Sequence, residues 1–266
     1  MSGVGGIGAN RFNVQQYQTQ RDQTKHMRNA SSGKKVNQAS DGAAEMAIAK
    51  KLANSAKGFE VGRQNLQAGR SALYIADGGM DGINDYLQRM RELSIRANSG
   101  LMSDEDKQAI QAETDQLKEG IDDVSQQAQY NEKTLLTEDG SVTLLADNEG
   151  STEEISTAAV DSASLGVGNS VSILDNFDLD SVDKAMEKVA TARSIAGAQT
   201  NGLDHTIANN AVSAQNLTAS QSTLEDADIA EEMLEVNKNK TLTAAEIMMQ
   251  KRQEEEEQTK NAALFA

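Results

Sequence analysis

The chain has 266 residues with a formal net charge of −16; 38% of them are hydrophobic, 3% are aromatic, and there is no Pro or Cys. That is too little bulky apolar side chain for a thick globular core, although thin helical bundles need less; an acidic balance without interleaved aromatic and basic residues argues against a nucleic-acid partner, and the lack of Cys excludes a disulfide framework or a thiolate metal site. No segment approaches the apolar length of a membrane span, and the polar, Gly-containing stretch from Met1 to Gln16 lacks the apolar run of a cleavable signal peptide, so export would use a route that reads no such signal.

Taken in order, Val14 to Ala30 is free of helix breakers and predicts a weakly amphipathic helix whose apolar residues are Val14, Tyr17, Met27 and Ala30. Ser31-Ser32-Gly33 predicts a break, and Gly42 to Lys57 predicts a second helix rich in small residues. From Gln64 to Ser99, Leu66, Leu73, Ala76, Met80, Ile83, Leu87 and Met90 recur at intervals of three, four or seven residues, which lays a narrow apolar seam along one long helix. Ser103 with Asp106 three residues on predicts an N-cap, and Asp104 to Gln127 a helix with Ile110, Leu117, Ile121 and Val124 on one side, antiparallel to its predecessor. Leu135 to Ile173 alternates in places, at Val142-Thr143-Leu144-Leu145 and Val171-Ser172-Ile173, and predicts one or two small hairpins with turns at Asp139-Gly140 and Asn148-Glu149-Gly150. Helical periodicity returns at Ser181, runs almost unbroken to Glu235, and resumes from Thr241 to Ala262 with Leu242, Ile247, Met248 and Met249. The expected fold is mainly α: an elongated antiparallel helical bundle or coiled coil made from paired N- and C-terminal segments, with small β-hairpins in the middle.

Charge is distributed unevenly. No Lys or Arg occurs from Thr134 to Asp183, the first fifty residues lean basic, and the end of the chain leans acidic, ending in the run Glu254 to Glu257. Terminal helices lying side by side would attract one another modestly and in a salt-dependent way. The pattern points to no catalytic centre, metal site or cofactor. His26 and His205 are far apart and no Cys could join them, Glu153-Glu154 lacks the spacing of a calcium loop, and no phosphate-binding Gly-Lys-Ser/Thr motif is present. Two features stand out as candidate contact sites. In Gln88-Arg89-Met90-Arg91-Glu92-Leu93, Met90 lies on the seam, while Arg89 and Leu93 share another face beside Glu92; an off-stripe Leu there marks a candidate subunit contact. The second is the apolar tail from Ala262 to Ala266, where Leu264 and Phe265 are the candidate terminal or polymerisation contacts.

Several motifs together resemble the bacterial flagellins. They are Ser31-Ser32-Gly33 with Val36-Asn37 and Ala39 to Ala44, Leu87 to Leu93, Ile110-Gln111-Ala112-Glu113, Tyr130-Asn131, Leu165-Gly166-Val167, Leu203 to Ile207, Gln215 to Ala219 and Asp226 to Ala230, which occur in the family's order over most of the chain. The resemblance implies a filament subunit that polymerises with its own copies, with 1–45 and 222–266 as terminal helices of an inner layer. It assigns 46–221 to a surrounding helical rod with a small β region at about 135–175, and shows no inserted outer domain. It further implies export through the flagellar type III apparatus with an export chaperone, assembly outside the cell beneath the filament cap, and no nucleic-acid or membrane partner. A vertebrate flagellin receptor would contact the helical layer at positions matching Arg89, Leu93 and Glu113, with Gln88 and Glu92 beside them. The hook–filament junction proteins share these terminal helices and are the alternative. Departures lie at the ends: Arg21, Thr24 and Arg28 stand along a first helix where the family carries a leucine-rich seam, and Lys251 to Glu257 replace an apolar or amide-rich stretch. Charges in an inner layer are costly unless paired or wet, so weaker or salt-sensitive polymerisation, as in a minor or divergent flagellin, is expected.

Overall fold

A computed structural model describes residues 5–99, 102–168 and 179–264. Among the described residues the elements are α1 (Gly5–Ser32), α2 (Ala43–Ala97), α3 (Asp104–Gln127), β1 (Gln129–Tyr130), β2 (Lys133–Thr134), β3 (Gly140–Leu145), β4 (Thr152–Thr157), α4 (Ser162–Leu165), α5 (Leu179–Glu225) and α6 (Ile229–Leu264). The fold is mainly α, with long antiparallel helices and two small antiparallel strand pairs, as the periodicity predicts. The chain forms two compact units, one of residues 1–54 with 217–266 and the other of residues 55–216.

In the 55–216 unit the seven predicted seam residues of α2 are all buried, together with Ile110 and Ile121 of α3 and Val182, Val189, Ala196 and Leu203 of α5. Ion pairs set the direction and register of α2 against α5. Arg70 meets Asp204 at 2.6 Å and Arg91 meets Asp183 at 2.6 Å, so twenty-one residues forward on α2 match twenty-one backward on α5. Arg193 of α5 spans Asp77 and Asp81, one turn apart on α2. Helix α3 starts where the sequence predicts. Ser103 accepts from the Asp106 amide, and Asp106 reaches back to the Ser103 amide, completing a capping box. The buried hydroxyls of Ser94 and Thr114 donate to carbonyls one turn back in their own helices, Met90 and Ile110, which satisfies them without a partner helix.

Several boundaries differ from expectation. The two helices predicted at Gly42–Lys57 and Gln64–Ser99 are one continuous α2, because Gly58 and Gly62 lie between them in helical conformation instead of breaking it. The break expected after Glu235 falls at Asp226–Asp228, where Asp228 caps α6 by accepting from the Ala230 and Glu231 amides; α6 then passes straight through the predicted gap before Thr241. Asp139-Gly140 leads into β3 and makes no hairpin turn, whereas Asn148-Glu149-Gly150 does lie in the β3–β4 loop. An additional turn at Asn131 and Glu132, both with positive φ, joins β1 to β2. Val171-Ser172-Ile173 lies outside the described residues.

The β3–β4 hairpin lies directly against α2, and glycines permit it. A Cβ at Gly62 would stand 1.7 Å from the Ala146 carbonyl oxygen, at Gly58 2.5 Å from the Asn148 side chain, and at Gly69 2.1 Å from Leu144 Cδ1. Positions 58, 62 and 69 share one helix face. The buried Asn210 of α5 donates to the same Ala146 carbonyl at 2.7 Å, so the hairpin is held from two helices. Gly78, by contrast, has open space around its missing side chain. Two Gly→Ala changes in one helix should therefore have opposite signs in urea denaturation. Gly78→Ala is expected to raise stability by up to about 1 kcal/mol through helix propensity, and Gly62→Ala to lower it by about 1–3 kcal/mol through overpacking.

Candidate assembly surfaces

In the terminal unit, α1 and α6 pack antiparallel through a seam that, among the described side chains, has almost no apolar residues. The side chains turned inward on α1 are Gln16, Thr19, Gln23, His26 and Asn29, and on α6 Glu232, Val236, Asn239, Thr243 and Glu246, each set spaced by three or four residues. Hydrogen bonds hold them. His26 Nδ1 lies 2.5 Å from Glu232 Oε2, Asn29 Nδ2 donates to Glu232 Oε1 at 3.0 Å, and Thr19 faces Glu246 Oε1 at 3.3 Å. Glu246 is only 5% exposed, and its other oxygen has no partner. Apart from Val236, the described large apolar side chains point away from this seam. Tyr17 is 70% exposed, Leu234 69% and Met248 68%, with Val14, Met27, Met233, Leu242, Ile247 and Met249 also exposed. The apolar residues expected to form faces of the first and last helices thus do not pair those helices with each other, because each turns its polar stripe inward.

A backbone strap ties the two chain reversals of this unit together. Lys35 donates its amide to the Glu225 carbonyl at 2.8 Å, Ala227 donates to the Gly33 carbonyl at 2.9 Å, and Lys34 Nζ meets Glu225 at 2.6 Å. Gly33 supports the reversal with φ +69°. The carboxylate of Asp41 closes the same loop, accepting from the Asn37 and Gln38 amides and from Arg28. Burial alone would raise the Asp41 pKa, but the Gln38 and Asn37 amides and the Arg28 charge outweigh it and hold the carboxyl below its usual range. Glu225 is also lowered, first by the Gln221 side chain and then by Lys34. A carboxylate depressed in the folded state stabilises that state above its unfolded pKa and loses the contribution as pH falls through the folded value. Amide protection at Lys35 and Ala227, measured by hydrogen exchange, should fall between about pH 4 and lower values. Asp41→Asn should flatten that dependence.

In the other unit, Arg89 donates to Glu113 of α3 through Nε at 2.9 Å and Nη2 at 2.7 Å, and to Glu92 through Nη1 at 3.1 Å. These bonds, Glu113 foremost, raise the guanidinium pKa above its ordinary value. Gln88 and Glu92 are exposed beside it. Arg89, Glu92 and Glu113 are therefore brought together, with Gln88 next to them. Leu93 is corrected: it lies in the core at 1% exposure, not on an outer face. Arg89 pairs with α3 while Arg91 pairs with α5, so α2 is flanked by two helices here and buries a stripe wider than a two-helix seam. Leu93→Ala should cost about 2–4 kcal/mol in urea denaturation, while Arg89→Ala, whose ion pairs face water, should barely move the midpoint. Leu264 ends α6, but its side chain and all of Phe265 lie outside the described residues.

Among the described residues no group of three His, Asp or Glu side chains is placed to hold a metal ion, and no helix is long and apolar enough to cross a membrane. Bundle, polar seam and outward apolar faces define a helical protein organised around its surfaces. Residues 9–141 match the bacterial flagellin N-terminal helical region, and residues 179–259 the bacterial flagellin C-terminal helical region. The chain belongs to the bacterial flagellin family. It is 32% identical over 228 residues to a flagellin of Halalkalibacterium halodurans, covering 83% of this chain and 84% of that one. It is 33% identical over 239 residues to the flagellar filament 33 kDa core protein of Treponema phagedenis, covering 82% and 84%. A Vibrio parahaemolyticus protein described as a flagellar hook-associated protein has a TM-score of 0.58 and 14% identity over 70% of this chain and 100% of that one, a likeness of fold alone.

Proposed function

We propose that this chain is a structural subunit that polymerises with its own copies into the bacterial flagellar filament and thereby serves motility. The carrying observation is the terminal unit, which buries polar residues between α1 and α6 and leaves Tyr17, Leu234 and Met248 largely in water. Exposed apolar surface of that extent on both helices needs a partner, and a second copy supplies the same surface. Family membership and a relative named as a filament core protein support the same reading.

In this reading the terminal helices form the inner layer and the remaining helical region with its hairpins packs around it. The chain leaves the cell through the flagellar type III export apparatus with an export chaperone and is added beneath the filament cap, so it works outside the cell. The Gln88, Arg89, Glu92 and Glu113 surface would serve lateral packing and would be the surface met by a vertebrate flagellin receptor. Leu93 supports that surface from beneath. Enzymatic activity has no part in it.

Protein dissociated by heat and cooled with sheared seeds should sediment as long filaments visible by negative stain. A protein that never grows beyond short rings or remains monomeric would favour a hook–filament junction role and overturn the proposal. The combined Leu234→Glu and Met248→Glu variant is expected to keep its circular dichroism spectrum and to stay in the supernatant.

A further inference from the structure

Between α1 and the strap loop lies an open groove of about 640 Å³, whose wall carries Arg21, Lys25 and Arg28. These three follow one another at spacings of four and three, so they share one face of α1, and that face is distinct from the seam at Thr19, His26 and Asn29. Arg21 and Lys25 are exposed and make no ion pair among the described residues. Arg28 uses Nη2 on Asp41, and its Nε–H has no acceptor. Set against Asp22 and Asp41, which also line it, the groove therefore still carries an excess of cationic groups, although the chain as a whole carries a net charge of −16.

The complementary feature is on α6. Glu254, Glu255 and Glu256 are all exposed, and among the described residues their carboxylates meet one side chain, the Gln250 amide, which donates to Glu254 at 3.3 Å. Three other acids of the same unit are already occupied, Glu225 by Lys34, Glu232 by His26 and Glu235 by Lys238. The run cannot reach the groove of its own chain. Thr19 lies level with Glu246, and from that level Glu255 is nine residues along α6 in one direction while Lys25 is six residues along α1 in the other. At the helical rise, fifteen residues place the two about 22 Å apart along the helix pair, beyond the span of a Lys and a Glu side chain.

Resting on the filament reading above, we infer that the Arg21–Lys25–Arg28 groove receives the Glu254–Glu256 run of a second copy. The contact gives neighbouring terminal units an electrostatic register that their non-directional apolar faces do not provide. It also gives the acidic run a place in an inner layer, because each carboxylate that enters the groove meets a cation and not a buried apolar wall.

A charge-swap cycle tests this. Arg21→Glu with Lys25→Glu, and separately Glu254→Lys with Glu255→Lys and Glu256→Lys, should each raise the critical concentration for seeded polymerisation by roughly three- to tenfold. An equimolar mixture will not suffice, since each copy must offer both surfaces; the two sets combined in one chain should return the value toward that of the unaltered protein. Because the chain has no Cys, Lys25→Cys and Glu255→Cys placed on separate molecules give a second readout: oxidation by copper phenanthroline of the mixture under assembly conditions should yield a covalent dimer of the two. If the unaltered protein forms filaments but the swaps leave the critical concentration unchanged, fail to compensate, or no mixed dimer appears, the groove assignment is overturned and the filament reading stands. If the unaltered protein forms no filaments, both fall. Binding of the groove to another acidic protein, seen as cross-linking of Lys25→Cys to a different polypeptide with no mixed dimer, also overturns it.

Discussion

Two helices packed side by side can each hide only one stripe, and the choice of stripe in the terminal unit governs what the molecule can do. Helices α1 and α6 hide Thr19, His26, Asn29, Glu232, Asn239 and Glu246, with Val236 the one bulky apolar residue in the seam among the described side chains. Each hydrogen bond so made is worth on the order of 1 kcal/mol net. Each large apolar side chain left in water forgoes about 1.5–3 kcal/mol that full burial would supply. Polar inward and apolar outward is therefore a poor arrangement for an isolated pair and a good one for a pair that will be surrounded. Stability of this unit is coupled to the concentration of copies, as it is for any fold completed by association.

The 55–216 unit solves the opposite problem. Its seam is apolar from Leu66 to Met90, its edges are fixed by Arg70, Arg91 and Arg193 on aspartates of the facing helix, and the hairpin closes over Gly58, Gly62 and Gly69. Exposed ion pairs contribute little to stability but do distinguish one helix register from another. Here several agree on a single register over about six turns of α2. That unit is organised by its own buried apolar core, whereas the terminal unit, tied at Lys35 to Glu225 and at Gly33 to Ala227, is organised by backbone bonds at its reversals and by polar contacts between its helices.

These two solutions differ in how far they can be read from sequence. An apolar heptad states its buried face directly, which is why all seven predicted seam residues of α2 lie in the core and why Ser103 caps α3 as expected. A polar seam looks the same in sequence as a solvated face, so Thr19, Asn29 and Glu246 gave no sign of burial, and Tyr17 and Met248 gave a false one. Leu93 lies off a narrow seam but within the wider stripe that α2 buries where three helices meet. The glycine face at 58, 62 and 69 was visible as spacing within a helical run, but only the docked hairpin explains it. The strap joins two of the motifs that carry the family resemblance, Ser31-Ser32-Gly33 and Asp226-Ala227-Asp228; their separation of almost two hundred residues and their use of backbone groups hide the pairing from any side-chain pattern.

A leucine-rich seam between α1 and α6 would bind the pair more tightly, but it would also compete with assembly. Apolar contact is non-directional, so helices that find each other through leucines can slide by a turn or exchange partners with little penalty. A seam of Thr19 on Glu246 and of His26 with Asn29 on Glu232 tolerates no such slip, since displacement by one turn would leave these groups buried and unpaired. Polar residues inside thus settle which helix lies against which and at what level, and they leave the described large apolar side chains of the pair other than Val236 for neighbouring copies. The same division of labour extends outward. If apolar faces draw terminal units together without fixing their level, charged groups at the edge must supply the register, and those of this chain are arranged as a basic groove on α1 and a free acidic run on α6.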